Sequence, residues 1–423
     1  MVRIYFILFL LFSINLFAQK QGVVLKATNI EALLKKSDEW DPLYQERYNR
    51  AVLFCKKKGY PTILKNEQGQ IHSVVQGMDE NNQLIYYAID NSTAAKSLSI
   101  NKIRPGGKPN FNATGRNVFM GIWDGGSVKD THQEFGGRVN VIDQVPQNDY
   151  PTHVAGTMIA AGINPSAQGM AYEGRLDAYD FGNDASEMAN AAASGMLISN
   201  HSYGRIVGWD YGNYSGNTGW HWFGEDGVSI PYDYKFGFYN PVTELWDDIA
   251  FNAPYYLIVK SSGNKRNEGP SPGAMHWAQN ASGAWVQTNT IRSQGPFDII
   301  SPKGNAKNIL TIGAVQDLPN GYQGPASVGM ASFSSWGPPD DGRVKPDLVG
   351  NGISVFSCIA SGNSAYQSMQ GTSMSTPNVA GALALLQEHY NNLHNGMFMK
   401  AATLKGLAIH TADEAGSNPG PDY

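Results

Sequence analysis

From Val118 to its end, the chain alternates short apolar runs with stretches rich in small residues, which are typical of helices. The clearest helical stretches are Ser186–Ser194 and Thr376–Tyr390. This alternation predicts an α/β fold with a mainly parallel, doubly wound sheet and helices on both faces. In such a sheet, chemistry is expected just past the carboxyl ends of the strands. The candidate strands are Val118–Trp123, Leu176–Tyr179, Leu197–Ser199, Tyr255–Ser261 and Ile309–Gly313.

Composition excludes several classes of protein. Of the 423 residues, 42% are hydrophobic and 16% are charged, so the chain is too apolar to be disordered. The net charge of -5 offers no basic surface for nucleic acid, and we expect no such partner. The two cysteines, Cys55 and Cys358, are far apart in sequence and form no disulfide or zinc motif. We predict that both are buried free thiols.

The first 18 residues predict export. Arg3 precedes the apolar run Ile4–Phe12, and the small residue Ala18 stands before polar residues where a signal peptidase would cut. The apolar stretch, about 14 residues, is shorter than the ~20 that a membrane-spanning helix needs. We therefore expect a signal peptide over 1–18 and a secreted or cell-surface protein with no membrane contact once the signal is removed.

A small α/β extension is predicted over residues 19–110, before the main domain over 111–423. Gln45–Lys58 has the pattern of a helix. Residues 71–89 have the pattern of two strands around a polar turn at 79–82. The dipeptide Gly106-Gly107 after Pro105 marks the end of the extension.

Four segments of the main domain carry residues suited to chemistry. Gly371-Thr372-Ser373-Met374-Ser375-Thr376-Pro377 precedes an apolar helix, which places Ser373 where backbone N–H groups favour negative charge. Pro377 is predicted in the first turn, where its missing N–H has no helical partner. The other segments are a strand that ends at Asp124, the helical Thr152-His153-Val154-Ala155-Gly156-Thr157, and the turn Ser261-Ser262-Gly263-Asn264.

In this order the four segments resemble those of the subtilisin-like serine proteases, over about three-quarters of the chain from Gly115 onward. The resemblance implies peptide or protein substrates, cleaved by acyl transfer without a catalytic cofactor. It implies that Ser373 is the nucleophile, Asp124 the acid that orients the base, and Asn264 an oxyanion donor. The backbone stretches expected to flank substrate are Ser202, Tyr203 and Gly204, and Ser261, Ser262 and Gly263. The segments Trp-Asp-Gly-Gly and Asn-His-Ser-Tyr-Gly resemble forms from Bacteroidota.

The histidine segment departs from the family pattern His-x-Thr-His-Val-Ala-Gly-Thr, in which the first histidine is catalytic. Here Tyr150 occupies that position, and His153 falls on the second, structural histidine. Tyrosine, with a reference pKa near 10, is a poor base at neutral pH. Three interpretations stay open: an inactive relative that binds peptides, His153 acting as the base, or loss of three residues from Tyr-Pro-Thr-His-x-Thr-His. His132 and His201 are further candidate bases, each better suited to a structural or substrate-side role. We expect a serine endopeptidase with His153 in the catalytic set.

Other features are less specific. Trp209, Trp220, Trp222 and Tyr232 belong to an aromatic insertion of about 35 residues, which would either line the substrate groove or pack on the surface. The family resemblance implies structural calcium, for which the candidate ligands are Asp184, Glu187, Asp247 and Asp248, although none has a calcium-loop spacing. The last residues, 417–423, resemble a point at which the family continues, so we expect the sequence to run on past Tyr423.

Overall fold

The computed structural model describes residues 22–65, 71–79, 84–88, 98–105, 111–318 and 320–416. The predicted signal peptide, the turn residues 80–82, Gly106-Gly107 and the segment 417–423 lie outside these ranges. The helices are α1 (Ile30–Lys58), α2 (Ile100–Ile103), α3 (Asp149–Ile159), α4 (Asp184–Ala193), α5 (Pro241–Asn252), α6 (Thr372–Leu393) and α7 (Ala401–His410).

The strands are β1 (Ile63–Lys65), β2 (Ile71–Met78), β3 (Leu84–Ala88), β4 (Phe119–Asp124), β5 (Val139–Val141), β6 (Arg175–Asp180), β7 (Ile198–His201), β8 (Gly204–Arg205), β9 (Trp209–Tyr214), β10 (Asn217–Trp222), β11 (Leu257–Ser261), β12 (His276–Gln279), β13 (Trp285–Thr288), β14 (Leu310–Val315), β15 (Leu348–Asn351), β16 (Val355–Cys358) and β17 (Tyr366–Met369). Single 3₁₀ turns lie at Pro165–Ala167, Pro302–Asn305 and Pro325–Ser327.

The centre of the fold is a seven-stranded sheet in the order β15-β14-β11-β7-β4-β6-β5. Every neighbouring pair in it is parallel, as predicted. The chain runs from β4 to one edge and then crosses to build the other half, so the strand order reverses at β4. Ligand sites of doubly wound sheets lie at such a reversal, beyond the carboxyl ends of the strands. Asp124 is the last residue of β4 and therefore lies at this edge.

The two faces of the sheet support separate apolar cores, because successive residues of a strand point to opposite faces. Ile122 of β4 packs in a core with Val154 of α3. The next residue, Trp123, packs in the other core with Trp246 of α5. Helices therefore cover both faces, which confirms the predicted α/β architecture.

The N-terminal extension packs on the helices of one face. Helix α1 begins where the side-chain oxygen of Asn29 accepts a hydrogen bond from the N–H of Ala32 at 3.1 Å. It continues through Pro42 and therefore begins well before Gln45, where the sequence pattern placed the helix start. Leu33 of α1 lies in the same core as Trp246, so the extension shares a core with the main domain.

The sheet of the extension is completed by a strand of the main domain. Strands β1, β2, β3 and β8 form one antiparallel sheet, in which Ala88 of β3 pairs with Gly204 and Tyr87 pairs with Arg205. The two strands predicted over 71–89 are confirmed as β2 and β3. The division of the chain at residue 110 stays a prediction.

The aromatic insertion supplies β9 and β10 of a further sheet, whose order is β13-β12-β10-β9 and whose other two strands, β12 and β13, follow β11 in the chain. Trp209 and Trp222 are buried in it, whereas Tyr232 beside it is 60% exposed. Tyr214 of β9 lies in one apolar cluster with Cys55 of α1, so the insertion contacts the extension. Most of this insertion is therefore packed structure rather than an open loop.

Both cysteines are buried free thiols, as predicted. Burial raises the pKa of Cys55 to about 11 and that of Cys358 to about 12, so neither is a thiolate at neutral pH. Across the ranges described, no helix combines the length and apolarity needed to cross a bilayer.

Candidate active site

Ser373 lies at the start of the long helix α6, as the motif predicted. It is the second residue of that helix and is 4% exposed. Backbone N–H groups at a helix N-terminus have no intrahelical partner and stabilise negative charge beside them. The nucleophile predicted from the sequence is therefore in a position that favours a developing oxyanion.

Helix α6 begins at Thr372 rather than at Thr376, so Pro377 lies in its second turn, not in the first as predicted. A proline there removes the N–H that would bond to the carbonyl of residue i−4, which is Ser373. The hydroxyl of Ser202 replaces that donor and bonds to the Ser373 carbonyl oxygen at 2.6 Å. The Ser202 hydroxyl in turn accepts a hydrogen bond from Nδ2 of Asn200 at 2.9 Å. A residue predicted only to flank substrate thus fixes the backbone of the nucleophile.

The side chain of Asn264 is oriented by the start of α6. Its Oδ1 accepts hydrogen bonds from the N–H of Thr372 at 2.8 Å and from the Thr372 hydroxyl at 3.0 Å. Gly263 precedes it with φ at +108°, a conformation that side-chain-bearing residues rarely adopt. Because Oδ1 is the bound acceptor, Nδ2 is the end of the amide that can donate to an oxyanion beside Ser373.

Asp124 is completely buried at the end of β4. Its Oδ1 accepts a hydrogen bond from the N–H of Gly125 at 2.7 Å, whereas Oδ2 has no hydrogen-bond partner among the described residues. Burial raises the pKa of Asp124 well above its ordinary value, and the negative charge of Asp180 adds to this rise. The hydrogen bond from the Gly125 N–H and the positive charge of Lys260 oppose it. Asp124 therefore offers one buried acceptor, as a carboxylate that orients a base must.

Replacing Asp124 with Asn is expected to stabilise the protein at pH 8 by ~1–3 kcal/mol, the order of the cost of a buried polar group without a partner. The pKa of Asp124 is higher in the folded than in the unfolded state, so the folded protein binds the proton more tightly. The free energy of unfolding therefore falls as pH rises between these two pKa values, and the gain should shrink toward pH 5. Denaturant unfolding at pH 5 and pH 8 measures both effects.

The matched control is Asp347→Asn, because the Asp347 side chain is also largely shielded, at 9% exposure, but forms ion pairs with Lys345 and Lys405. These lysines help to lower the pKa of Asp347 although burial alone would raise it, so this substitution should destabilise the protein. A stabilised Asp347→Asn variant, or an unchanged Asp124→Asn variant, would contradict the assignment of an unpaired buried charge to Asp124.

Tyr150 is connected to the turn after Asp124 through Asn148 and to the Ser202 segment through its hydroxyl. Helix α3, which carries it, begins where Asn148 accepts a hydrogen bond from the Tyr150 N–H at 3.1 Å. Nδ2 of Asn148 also donates to the carbonyl of Gly125 at 3.0 Å, which fixes the helix start to the turn after Asp124. The Tyr150 hydroxyl donates to the carbonyl of Ser202 at 3.4 Å. Tyr150, which is predicted from the sequence to occupy the family's catalytic position, is thus buried and in contact with the segment that holds Ser373.

His153 is turned away from this group. It is fully buried, and its Nε2 faces the carbonyl oxygens of Val355 at 3.0 Å and Gln367 at 3.2 Å, while Nδ1 has no partner among the described residues. Burial lowers its pKa to about 4, so the ring is neutral at pH 7. Neither nitrogen is hydrogen-bonded to Asp124 or Ser373. In this arrangement His153 is a structural histidine, and service as the base would require the ring to leave both carbonyls.

Close packing also opposes a shift of helix α3 that would carry His153 toward Ser373. A Cβ atom added to Gly156 of this helix would lie 2.4 Å from Sγ of Cys358 and 2.4 Å from Oγ of Ser357. Ser357 also donates a hydrogen bond to the carbonyl of His153 at 3.0 Å. The helix is therefore in direct contact with β16, and sliding it by one turn would break this contact.

The two other histidines considered as bases, His132 and His201, also have structural partners. Nε2 of His132 contacts the carbonyl of Ala365 at 3.0 Å. The ring of His201 is fully buried between the hydroxyl of Tyr203 at 3.0 Å and that of Ser199 at 2.8 Å, and burial lowers its pKa well below the usual value. Neither ring is hydrogen-bonded to Ser373, in agreement with the structural roles preferred from the sequence.

The predicted substrate-binding stretches form one cavity with the nucleophile. Its lining includes Ser373, Asn264 and all but one of the six residues predicted to flank substrate; these five are Tyr203, Gly204, Ser261, Ser262 and Gly263. The exception is Ser202, whose hydroxyl is committed to the Ser373 carbonyl. Strand β3 of the extension pairs with the backbone of Gly204, at one wall of this cavity.

The four carboxylates considered for calcium already have other partners. Asp184 contacts Lys303 and the Tyr203 hydroxyl, and Asp248 contacts Lys36. Glu187 accepts from the indole of Trp123, and Asp247 accepts from the backbone N–H groups of residues 307 and 308. Within the part of the chain that the structure describes, no group of three or more His, Cys, Asp or Glu residues could hold a metal ion. These carboxylates therefore do not fit a calcium site.

Lys260 is a feature of the cavity that the sequence analysis missed. It is the fourth residue of β11, where buried apolar residues precede it, and it is itself only 1% exposed. The signal was present in the sequence, since a lysine in an otherwise apolar central strand must find a buried polar environment.

Comparison with known proteins agrees with the fold and the motifs. The sequence profile of the subtilase family matches residues 76–423. C5a peptidase of Streptococcus pyogenes serotype M3 is 37% identical over 95 residues, which are 22% of this chain and 8% of that protein. The PII-type proteinase of Lacticaseibacillus paracasei is 38% identical over 80 residues, which are 19% of this chain and 4% of that protein. The chain thus matches less than a tenth of the length of either relative.

Among solved structures, the CspB protease of Clostridium perfringens has a TM-score of 0.52 and 16% identity over 74% of this chain and 93% of that one. At this identity the likeness concerns the fold alone. The profile match, by contrast, covers well over half of the sequence, including all four motif segments. The chain belongs to the subtilase family of serine peptidases.

Proposed function

We propose that this chain is a secreted serine endopeptidase in which Ser373 attacks the peptide carbonyl and forms an acyl-enzyme. Nδ2 of Asn264 and the N–H of Ser373 would stabilise the oxyanion, and Asp124 would orient the base. The observation that carries the proposal is the fixed arrangement of Ser373 and Asn264, joined through Thr372 at the start of α6. The chemistry needs no cofactor, and its partner is a peptide or protein.

The second candidate is an inactive subtilase that binds peptides in the same groove. It is favoured by the base position, where Tyr150 replaces histidine and the ring of His153 faces two backbone carbonyls. In that arrangement no residue of the described ranges forms a hydrogen bond with Oδ2 of Asp124. A serine hydroxyl without a neighbouring base is a weak nucleophile, so the two candidates differ in the reactivity of Ser373.

A fluorophosphonate probe separates the two candidates. If Ser373 is activated, the probe should label the folded protein on that residue, and Ser373→Ala should abolish the labelling. Ser375→Ala is the matched control, because Ser375 lies in the same helix turn and its hydroxyl bonds to the carbonyl of Thr372 at 2.7 Å. Mass spectrometry of the labelled peptide identifies the site. Absence of labelling in a protein that still binds peptides would refute the endopeptidase and support the inactive relative.

The extension over 19–110 is proposed to be a pro-segment that follows an N-terminal signal. Two contacts support this proposal: α1 shares a core with the main domain, and β3 pairs with Gly204 and Arg205 at the cavity wall. An extended substrate would need the same backbone edge. Export would place the active protein outside the cell or on its surface.

A further inference from the structure

A cavity of about 120 Å³ lies beside Ser373 and Asn264. One wall comes from the end of β11 and the turn after it, and the opposite wall comes from Tyr203, Gly204 and the residues that follow. All of its lining residues in the described part of the chain belong to the main domain. Its size suits one side chain of a bound peptide.

Two of the three cationic side chains at this cavity have carboxylate partners. Arg205 forms an ion pair with Asp79 of the extension. Lys265 bonds to Asp210 at 2.9 Å and to Glu268 at 2.8 Å. Their charges are therefore compensated before any ligand arrives.

Lys260 is the third cation, and it differs from the other two. Its Nζ donates hydrogen bonds to the carbonyl oxygen and to the hydroxyl of Ser261, each at 2.8 Å. Both acceptors are neutral, and among the described residues no carboxylate forms an ion pair with it. A Cβ atom placed on Gly204 would lie 3.8 Å from this Nζ and 3.1 Å from Oγ of Ser301. The ammonium group therefore lies directly behind the cavity wall.

Keeping Lys260 charged in its buried position costs free energy. Burial and the neighbouring charge of Lys303 lower the pKa of Lys260, Asp124 and Asp184 raise it, and together they bring it to about 7. A buried cation with only neutral acceptors gains strongly from a carboxylate that enters its site. Lys260 therefore lacks a carboxylate partner of its own, which a substrate side chain could supply.

We propose that Lys260 makes this cavity select a carboxylate side chain, Glu or Asp, in the substrate residue before the scissile bond. The proposal rests on the proposed function, since that position is defined by attack of Ser373. The incoming carboxylate would accept hydrogen bonds from Nζ of Lys260 and from the Ser261 hydroxyl. Lys265 would keep its present partners, Asp210 and Glu268.

Peptidyl diphenyl phosphonates with a Glu, Gln or Leu side chain at that position test the selection. In each, Oγ of Ser373 bonds to phosphorus and phenol leaves with the serine proton. Glu should react faster than Gln by roughly 10- to 100-fold, the range expected for a hydrogen bond to a charged group. Lys260→Met should abolish this ratio, which is compared within each variant so that a general change in reactivity cancels. An unchanged ratio in Lys260→Met would overturn the proposal.

The matched control is Lys345→Met, which removes another buried lysine outside the cavity and leaves Asp347 paired with Lys405 at 2.9 Å. It should keep the Glu preference. Thermal unfolding of both variants checks that they fold, and Lys260→Gln provides a second, polar replacement if the Met variant does not.

A binding measurement keeps the selection testable without a reactive serine. Acetylated tripeptides ending in Glu or Gln are titrated into the native protein and the Lys260→Met variant by calorimetry. A preference for Glu that Lys260→Met removes, without any phosphonate labelling, would support the selective cavity and refute the endopeptidase. If instead the phosphonates label Ser373 but the Glu and Gln forms bind and react equally, the endopeptidase is supported and the selective cavity is refuted.

The Glu preference should also depend on pH. Glu is ionised above roughly pH 4.3. The pKa of Lys260 in the unliganded protein is about 7, so binding of the anion should weaken as pH rises beyond that value. The charged or titratable groups around it are Lys303, Asp124, Asp184 and His201, and the lowered pKa of His201 keeps that ring neutral in this range. A preference that stays constant from pH 6 to pH 9 would contradict a role of the Lys260 charge.

Discussion

Tyr150→His is expected to raise the rate of fluorophosphonate labelling of Ser373 by roughly 10²- to 10⁴-fold, the contribution of a positioned general base. The substitution places an imidazole at the start of α3, which Asn148 fixes to the turn after Asp124. Oδ2 of Asp124 is buried, has no hydrogen-bond partner in the described part of the chain, and can accept the imidazole N–H. The measurement is the second-order labelling rate, followed by hydrolysis of a fluorogenic peptide.

Two further variants show whether the gain comes from a base. Tyr150→Phe removes the hydroxyl without adding a base, so the labelling rate should stay low. Adding Asp124→Asn to Tyr150→His should remove most of the gain, because the amide no longer stabilises the charged imidazole. An equal gain in Tyr150→Phe would mean that the tyrosine had merely obstructed the site. A folded Tyr150→His variant as slow as the native protein would refute the geometry proposed for the base.

Asn264→Asp is expected to reduce the rate of peptide hydrolysis by roughly 10²- to 10³-fold, the typical effect of losing one oxyanion donor. Asp can still accept the two hydrogen bonds from Thr372, so the start of α6 should stay in place. The group that faces the oxyanion becomes an acceptor, which repels the negative charge of the transition state. Steady-state kinetics should show the loss mainly in kcat, measured in the native protein or in the faster Tyr150→His form.

Asn264→Leu separates the two functions of this amide. It removes both the donor and the bonds to Thr372, so it should lose rate as strongly and also lower the melting temperature. Asn264→Asp should leave that temperature nearly unchanged. A native rate in Asn264→Asp would show that the side chain positions Thr372 and takes no part in stabilising the oxyanion.

Much of the central sheet could be predicted from the sequence, because buried parallel strands are continuous apolar runs. Strand β4 is an example, since its apolar run ends at Asp124 in both the pattern and the structure. Strand β5 is only three residues long and β15 contains a glycine, and neither stands out from the surrounding loops. The sheet of the aromatic insertion was missed because its strands do not alternate regularly between polar and apolar residues.

Helix boundaries were the least predictable part, and both helices with misplaced starts contain a proline. Helix α1 includes Pro42 and begins well before the predicted start at Gln45, and α6 begins before the predicted start at Thr376, so that Pro377 lies in its second turn. Pro377 was predicted in the first turn, where proline is tolerated, without knowledge of what else could bond to the carbonyl it releases. For Ser373 that partner is Ser202, which only the three-dimensional structure brings near.

The candidate site was predictable as a set of residues but not as an arrangement. Ser373, Asn264 and the substrate-flanking stretches could be found because short motifs fix their local backbone. The direction of the His153 ring depends on Val355 and Gln367, which are distant in sequence. The electrostatic environment of Lys260 likewise depends on burial, which a sequence pattern does not measure.

The hydrogen bond from Ser202 to the Ser373 carbonyl has a consequence for how the site forms during folding. The two residues are 171 positions apart, so this bond cannot exist until β7 and α6 have docked. The rest of α6 needs only local contacts and can form earlier, since helical bonds close short loops. The nucleophile thus acquires its final backbone geometry late, and a partly folded chain with a complete α6 would still lack a formed site.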